Sequence, residues 1–253
     1  MTLNRFAYLP VLGACLMMPA HADTLLGLYA GAQGWDTSAD GGFANSSDVT
    51  EFSLSDETLG TFYLALEHPV PLLPNLKVRS MKLDNTGNAT LSDSFEFGGE
   101  VYPANTMLNT QMEIDAIDYI LYYELFDNDI VSFDFGLNAK DVDGFISVAD
   151  AADPSLEASQ VFSGIVPLVY GKLEVGMPLT GWGLLAEGNF LSIDDSTLYD
   201  YQAAVTYRML DNLAVDLTLQ LGYRAFVLEL DDLDNTYTDL RFKGPYAGLE
   251  VHF

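Results

Sequence analysis

Apolar positions along this chain recur every second residue rather than every third or fourth. From Val131 to Lys140, Val131, Phe133, Phe135, Leu137 and Ala139 alternate with Ser132, Asp134, Gly136, Asn138 and Lys140. Period two is the spacing of a β-strand with one apolar and one polar face. Further stretches of this kind are Leu25–Trp35, Thr58–His68, Asn75–Lys82, Leu108–Leu125, Val161–Val175, Gly181–Leu191, Tyr201–Arg208, Leu213–Ala225 and the terminal Tyr246–Phe253. They predict ten strands. In Leu108–Leu125 the polar positions move from odd (Asn109, Gln111, Glu113, Asp115) to even (Asp118, Glu124). A strand changes face only by inserting a residue, so the pattern predicts a β-bulge near Ala116–Ile117.

The connections alternate in length. Val70–Pro74, Phe126–Asp129, Pro178–Gly181 and Leu210–Asn212 are short, whereas Asp36–Glu57, Asp84–Thr106, Asp141–Gln160 and Glu229–Arg241 are long and Ser192–Asp200 is intermediate. No apolar run beyond residue 22 approaches the roughly 20 residues of a membrane-spanning helix. An even strand count, apolar-out alternation and loop asymmetry together predict an all-β fold: a closed antiparallel up-and-down transmembrane β-barrel of about ten strands, with short periplasmic turns and longer acidic extracellular loops. A soluble barrel or sandwich with the apolar stripe inside is the competing reading.

Composition narrows the partners. The 253 residues carry 10 Lys and Arg against 37 Asp and Glu, a net charge of −27. That opposes nucleic-acid binding, which needs basic groups against phosphates. Apolar residues at 49% are too many for a disordered acidic chain. Met1–Ala22 reads as a secretory signal peptide, with Arg5, an apolar run from Phe6 to Met18 and a small-x-small site at Ala20-His21-Ala22. Residues 23–253 would then form the barrel. The single cysteine, Cys15, leaves with the signal, so no disulfide framework is expected. Leu12-Gly13-Ala14-Cys15 loosely resembles a lipoprotein box, which would instead retain a lipidated Cys15; the good downstream site argues against it.

Tyr246, Gly248, Val251 and Phe253 fall at the spacing aromatic-x-Gly-x-x-apolar-x-aromatic. This resembles the terminal strand of bacterial outer-membrane barrels, which closes the barrel and is read by the insertion machinery. With the export signal, the mature start DTLLGLYAG and the strand end LYYELFDND, the chain resembles a family of small, functionally uncharacterised outer-membrane β-barrel proteins of Gram-negative bacteria. The resemblance implies an outer-membrane location, contact with outer-membrane lipid and lipopolysaccharide, and delivery by periplasmic chaperones and the barrel-assembly machinery. A monomer is expected. The family supplies no substrate, reaction or site residues.

Alternation places Lys140, Lys172, Arg208 and Arg224 inside the barrel with Asp134, Glu174, Glu187 and Asp216, which predicts a lumen plugged by ion pairs. The expected outer loops hold 23 of the 37 acidic residues and a single basic one, Arg241. Asp231, Asp232, Asp234 and Asp239 form the candidate site for Ca²⁺ or Mg²⁺ there, since carboxylates suit hard cations. The stretch lacks the glycine and trailing glutamate of an EF-hand loop, and a solvated acidic face is the favoured reading. No other cofactor is indicated. Of three histidines, His21 leaves with the signal, and His68 and His252 sit at the short-turn rim, away from the outer loops where barrel enzymes place a general base. An enzyme is therefore not expected. Tyr29, Trp35, Phe62, Tyr122, Tyr123, Trp182, Tyr201 and Tyr207 read mostly as an interfacial girdle. The expected role is structural or surface interaction, ahead of a narrow pore or small-solute transporter.

Overall fold

The computed structural model describes residues 26–45, 49–128, 130–193, 196–212, 215–233 and 236–253. The expected signal peptide, residues 1–22, lies outside them. Among the described residues ten long strands form the barrel: β1 (Gly27–Ala44), β2 (Glu57–Glu67), β3 (Asn75–Thr90), β4 (Met107–Asp127), β5 (Val131–Asp150), β6 (Glu157–Gly176), β7 (Trp182–Ile193), β8 (Ser196–Asp211), β9 (Asp216–Leu233) and β10 (Thr236–His252). Each pairs antiparallel with its sequence neighbour, and β1 pairs with β10 from Tyr29↔His252 to Ala44↔Tyr237. The sheet is therefore closed and leaves no long edge, which is how a β-structure satisfies its backbone in lipid. Phe253 completes the seam: its N–H donates to Leu28 O at 2.9 Å.

The expected bulge at Ala116–Ile117 is absent. β4 holds one register against β5 from Leu108↔Asp150 to Glu124↔Asp134 and shifts only between Glu124 and Phe126. Even residues of β4 point inward along its length: Leu108, Thr110, Met112, Ile114, Ala116, Asp118, Ile120 and Tyr122 are all buried. What changes at residue 116 is the environment. Towards the loop end the inner face is apolar and the outer face carries Asn109, Gln111, Glu113 and Asp115. Towards the short-turn end the inner face carries Asp118, while Ile117, Tyr119, Leu121, Tyr123 and Leu125 are exposed outside.

Neighbouring strands invert at the same height. On β5, outward Phe133, Phe135 and Leu137 give way to Asp141 and Asp143, and inward Asp134, Asn138 and Lys140 give way to Ile146 and Val148. On β3, inward Lys77 and Arg79 give way to Met81 and Leu83. The barrel thus has two storeys of opposite polarity. The lower one, at the short-turn end, is apolar outside and ionic inside; the upper one is polar outside and apolar inside. This is also why the strands run beyond their expected ends: polar outward residues of the upper storey, such as Asp40, Asp84 and Asp141, read as loop while their backbone stays paired. The apolar outer stretch of β4, Ile117 to Leu125, matches the roughly 9–11 residues with which a tilted strand crosses a bilayer.

The upper storey is packed and capped. Phe43, Leu83, Leu108, Met112, Ile146, Leu228 and Phe242 belong to one buried apolar cluster. The β3–β4 connection folds back over it as a hairpin, Phe95–Phe97 against Glu100–Tyr102. Gly98 and Gly99 form its two-residue turn with φ of 58° and 86°, the positive values such a turn demands. Phe97 and Phe52 pack on Phe43 at ring-centroid distances of 5.1 and 4.6 Å, and the Tyr102 hydroxyl donates to Val148 O at 2.9 Å.

Candidate functional site

The lower-storey lumen is the place where chemistry-bearing side chains converge. Its top is an ionic layer lying under the apolar cluster. Arg79 donates to Asp118 at 2.8 Å and to Asp200 at 3.0 Å. Arg224 grips both oxygens of Asp200 at 2.9 and 2.8 Å, and also donates to Thr61 Oγ1 at 3.0 Å. Lys140 Nζ lies 2.8 Å from Asp118 Oδ1 and 3.8 Å from Asp200. Trp35 roofs the layer, with the Arg224 guanidinium 4.9 Å from its ring centre. All five charged side chains are at most 3% exposed. Charges this deep persist because each stands against an opposite charge.

Below it lies a second polar layer. Lys77 Nζ meets Glu187 at 2.6 Å, and Tyr170 and Gln202 donate to the same carboxylate at 3.1 and 2.7 Å. Asn138 bridges this layer to the first, donating to Asp118 at 2.6 Å and to Asn189 at 3.1 Å. The third layer opens towards the short-turn end. Lys172 Nζ lies 3.3 Å from Glu174 and 4.0 Å from Asp134, Tyr63 donates to Glu250 at 2.6 Å, and Tyr122 donates to Glu67 at 2.8 Å. Tyr63 fits because Gly31 faces it across the β1–β2 pairing: a Cβ there would sit 2.1 Å from its ring.

The lumen regroups the charges expected from sequence. Lys140, Arg224, Lys172, Asp134, Glu174 and Glu187 line it, though with different partners. Arg208 and Asp216 are corrected to the short-turn rim: both have inward parity but lie near strand ends. There Arg208 pairs with Asp211 at 3.1 Å, both largely exposed, and Asp216 lies 3.7 Å from His252. Lys77, Arg79, Asp118 and Asp200 were missed as partners. The first three were legible from the alternation of β3 and β4; Asp200 fell in a stretch read as connection. Trp35 and Tyr122 are also corrected, from girdle to lumen, while Phe62, Tyr123, Trp182, Tyr201 and Tyr207 stay exposed on the outer wall.

Of the acidic-loop candidates, Asp239 lies on β10 and pairs with Arg241 at 3.1 Å. Glu229 and then Asp239 hold the Arg241 guanidinium above its ordinary pKa. The side chains of Asp231 and Asp232, and the whole of Asp234, lie outside the described residues. Among the described residues no three His, Asp or Glu side chains converge on a metal position. In the terminal signature Tyr246 is buried in the apolar cluster opposite Trp35, Gly248 leaves room for the Gln33 side chain where a Cβ would stand, and Val251 and Phe253 face outward.

No family model and no curated protein matches the chain. Among solved structures it is similar to the transport unit of the autotransporter AIDA-I from Escherichia coli, at 8% identity over 92% of both chains with a TM-score of 0.41. It is also similar to the toluene transporter TodX of Pseudomonas putida, at 8% identity over 95% of this chain and 93% of that one, TM-score 0.31. A FadL homologue of Pseudomonas aeruginosa gives 8% identity over 90% of both chains and a TM-score of 0.30. At such scores the fold rests on the strand pairing above and nothing functional follows from the likeness.

Proposed function

We propose that the protein is an integral, monomeric outer-membrane β-barrel of the small uncharacterised family it resembles, with a closed lumen and a structural or surface-interaction role rather than an enzymatic one. The observation that carries this reading is the polarity inversion. Only a bilayer rewards a wall where Phe62, Leu64, Phe135 and Leu137 face out and Arg79, Lys140 and Arg224 face in. Each outward Phe or Leu moved from water to lipid contributes about 1.5–3 kcal/mol.

In this reading residues 1–22 direct export, the Tyr246–Phe253 strand is the assembly signal, and periplasmic chaperones and the assembly machinery deliver the chain. Short turns face the periplasm. The acidic upper storey stands outside the cell, above the lipopolysaccharide headgroups, where it meets partners or divalent cations. The lumen is blocked twice: by the ionic layer around Asp200 and by the Phe97 hairpin above it. His68 and His252 face the periplasm, His252 beside Asp216. Single-channel recording in planar bilayers tests the reading. Silence at moderate voltage is expected, and a large, steady conductance would replace it with the narrow-pore reading.

A further inference from the structure

The third lumen layer is out of charge balance. Glu67, Glu124, Asp134, Glu174 and Glu250 face Lys172 within the layer and Lys77 just above it, which Glu187 already holds, in a cup open at the short-turn end, where Glu174 is 39% exposed. Above, the cup is closed by Tyr170, Lys77 and Glu187. Asp134 shows the imbalance most sharply. It is 2% exposed, its Oδ1 has no hydrogen-bond partner among the described residues, and its Oδ2 reaches only Lys172, at 4.0 Å. A buried carboxylate oxygen ordinarily has a donor.

The carboxylates do not converge as they would on a bare metal ion. What they resemble is the setting the lumen already gives a primary ammonium. Lys77 Nζ sits 2.6 Å from the Glu187 carboxylate and 4.4 Å over the Tyr63 ring, one anionic acceptor and one aromatic face. The layer below repeats those elements without enough lysines to fill them, since Tyr63 and Tyr122 stand beside Glu250 and Glu67.

We propose that this cup binds a small alkyl-ammonium ligand from the short-turn side, with Asp134 as its innermost anchor. The proposal needs the barrel fold but not a closed lumen, so it stands or falls apart from the conductance result. Calorimetric titration of the folded full-length barrel in zwitterionic micelles with 1,4-diaminobutane, against sodium chloride of equal ionic strength and against calcium chloride, tests it. Saturable one-to-one binding of the diamine is expected, weakened at least tenfold by Asp134→Asn and by Glu174→Gln. Asp40→Asn, on the outer wall beside Lys243, should leave it unchanged. Because Asp134→Asn is buried, folding is checked by heat-modifiable gel migration, and Glu174→Gln at the open rim carries the test if that variant fails to fold. No saturable heat, equal affinity for calcium, or undiminished binding in a folded Asp134→Asn or Glu174→Gln barrel would overturn it.

Discussion

Asp200 shows how one carboxylate organises the lumen. Its two oxygens accept three hydrogen bonds from Arg79 and Arg224, and Lys140 stands 3.8 Å away. Asp200→Ala leaves two buried guanidinium groups short of an anion and is expected to destabilise the folded barrel by about 3–5 kcal/mol in denaturant titrations. Arg208→Ala removes only an exposed rim pair and should change stability by about 0–1 kcal/mol. Equal effects would mean that the buried layer is hydrated rather than ion-paired. Parity told which wall each charged residue lines, so Lys140, Arg224 and Glu187 were legible in the sequence. Height along the barrel was not, because Arg208 has the same parity as Asp200 yet lies four two-residue repeats nearer the rim.

At the scale of a strand, β4 carries the main lesson. Its period-two pattern was legible, and its reversal at residue 116 was visible too, but a reversal of polarity has two physical causes. A bulge turns the side chains over; a solvent boundary changes what surrounds them while they stay in place. The unbroken register from Leu108 to Glu124 selects the second. Leu121→Arg should therefore cost about 2–4 kcal/mol, as a cation in the bilayer does, while Gln111→Arg on the same outward face should fall within about 0.5 kcal/mol of the parent. Comparing both in refolded liposomes checks the boundary. The capping hairpin was hidden for a related reason: Phe95 and Phe97 on one side of the turn and Tyr102 on the other lie in strands of three residues, too short to read as membrane strands. Phe97 is fully buried, and Phe97→Ala is expected to cost about 3–5 kcal/mol in the same assay.

The whole molecule is a single closed wall whose lower storey uses the bilayer as solvent and whose upper storey packs like a soluble protein. Its closure depends on the β1–β10 seam, and the Phe253 ring, 56% exposed, adds little to the folded wall itself. Phe253→Ala should therefore leave export and final stability near parental values while lowering the fraction inserted, read as heat-modifiable protein in the membrane against unfolded protein in the periplasm. The two-storey arrangement is tested most directly by the outward face of β4. The chain from Asp23 onward has no cysteine of its own, so single cysteines can be placed at 109, 111, 113, 115, 117, 119, 121 and 123 and challenged in liposomes with a membrane-impermeant thiol reagent. Rapid labelling at 109–115 and protection from 117 onward is the expected result. Uniform labelling along the strand, or protection that moves to even positions beyond 116, would contradict it.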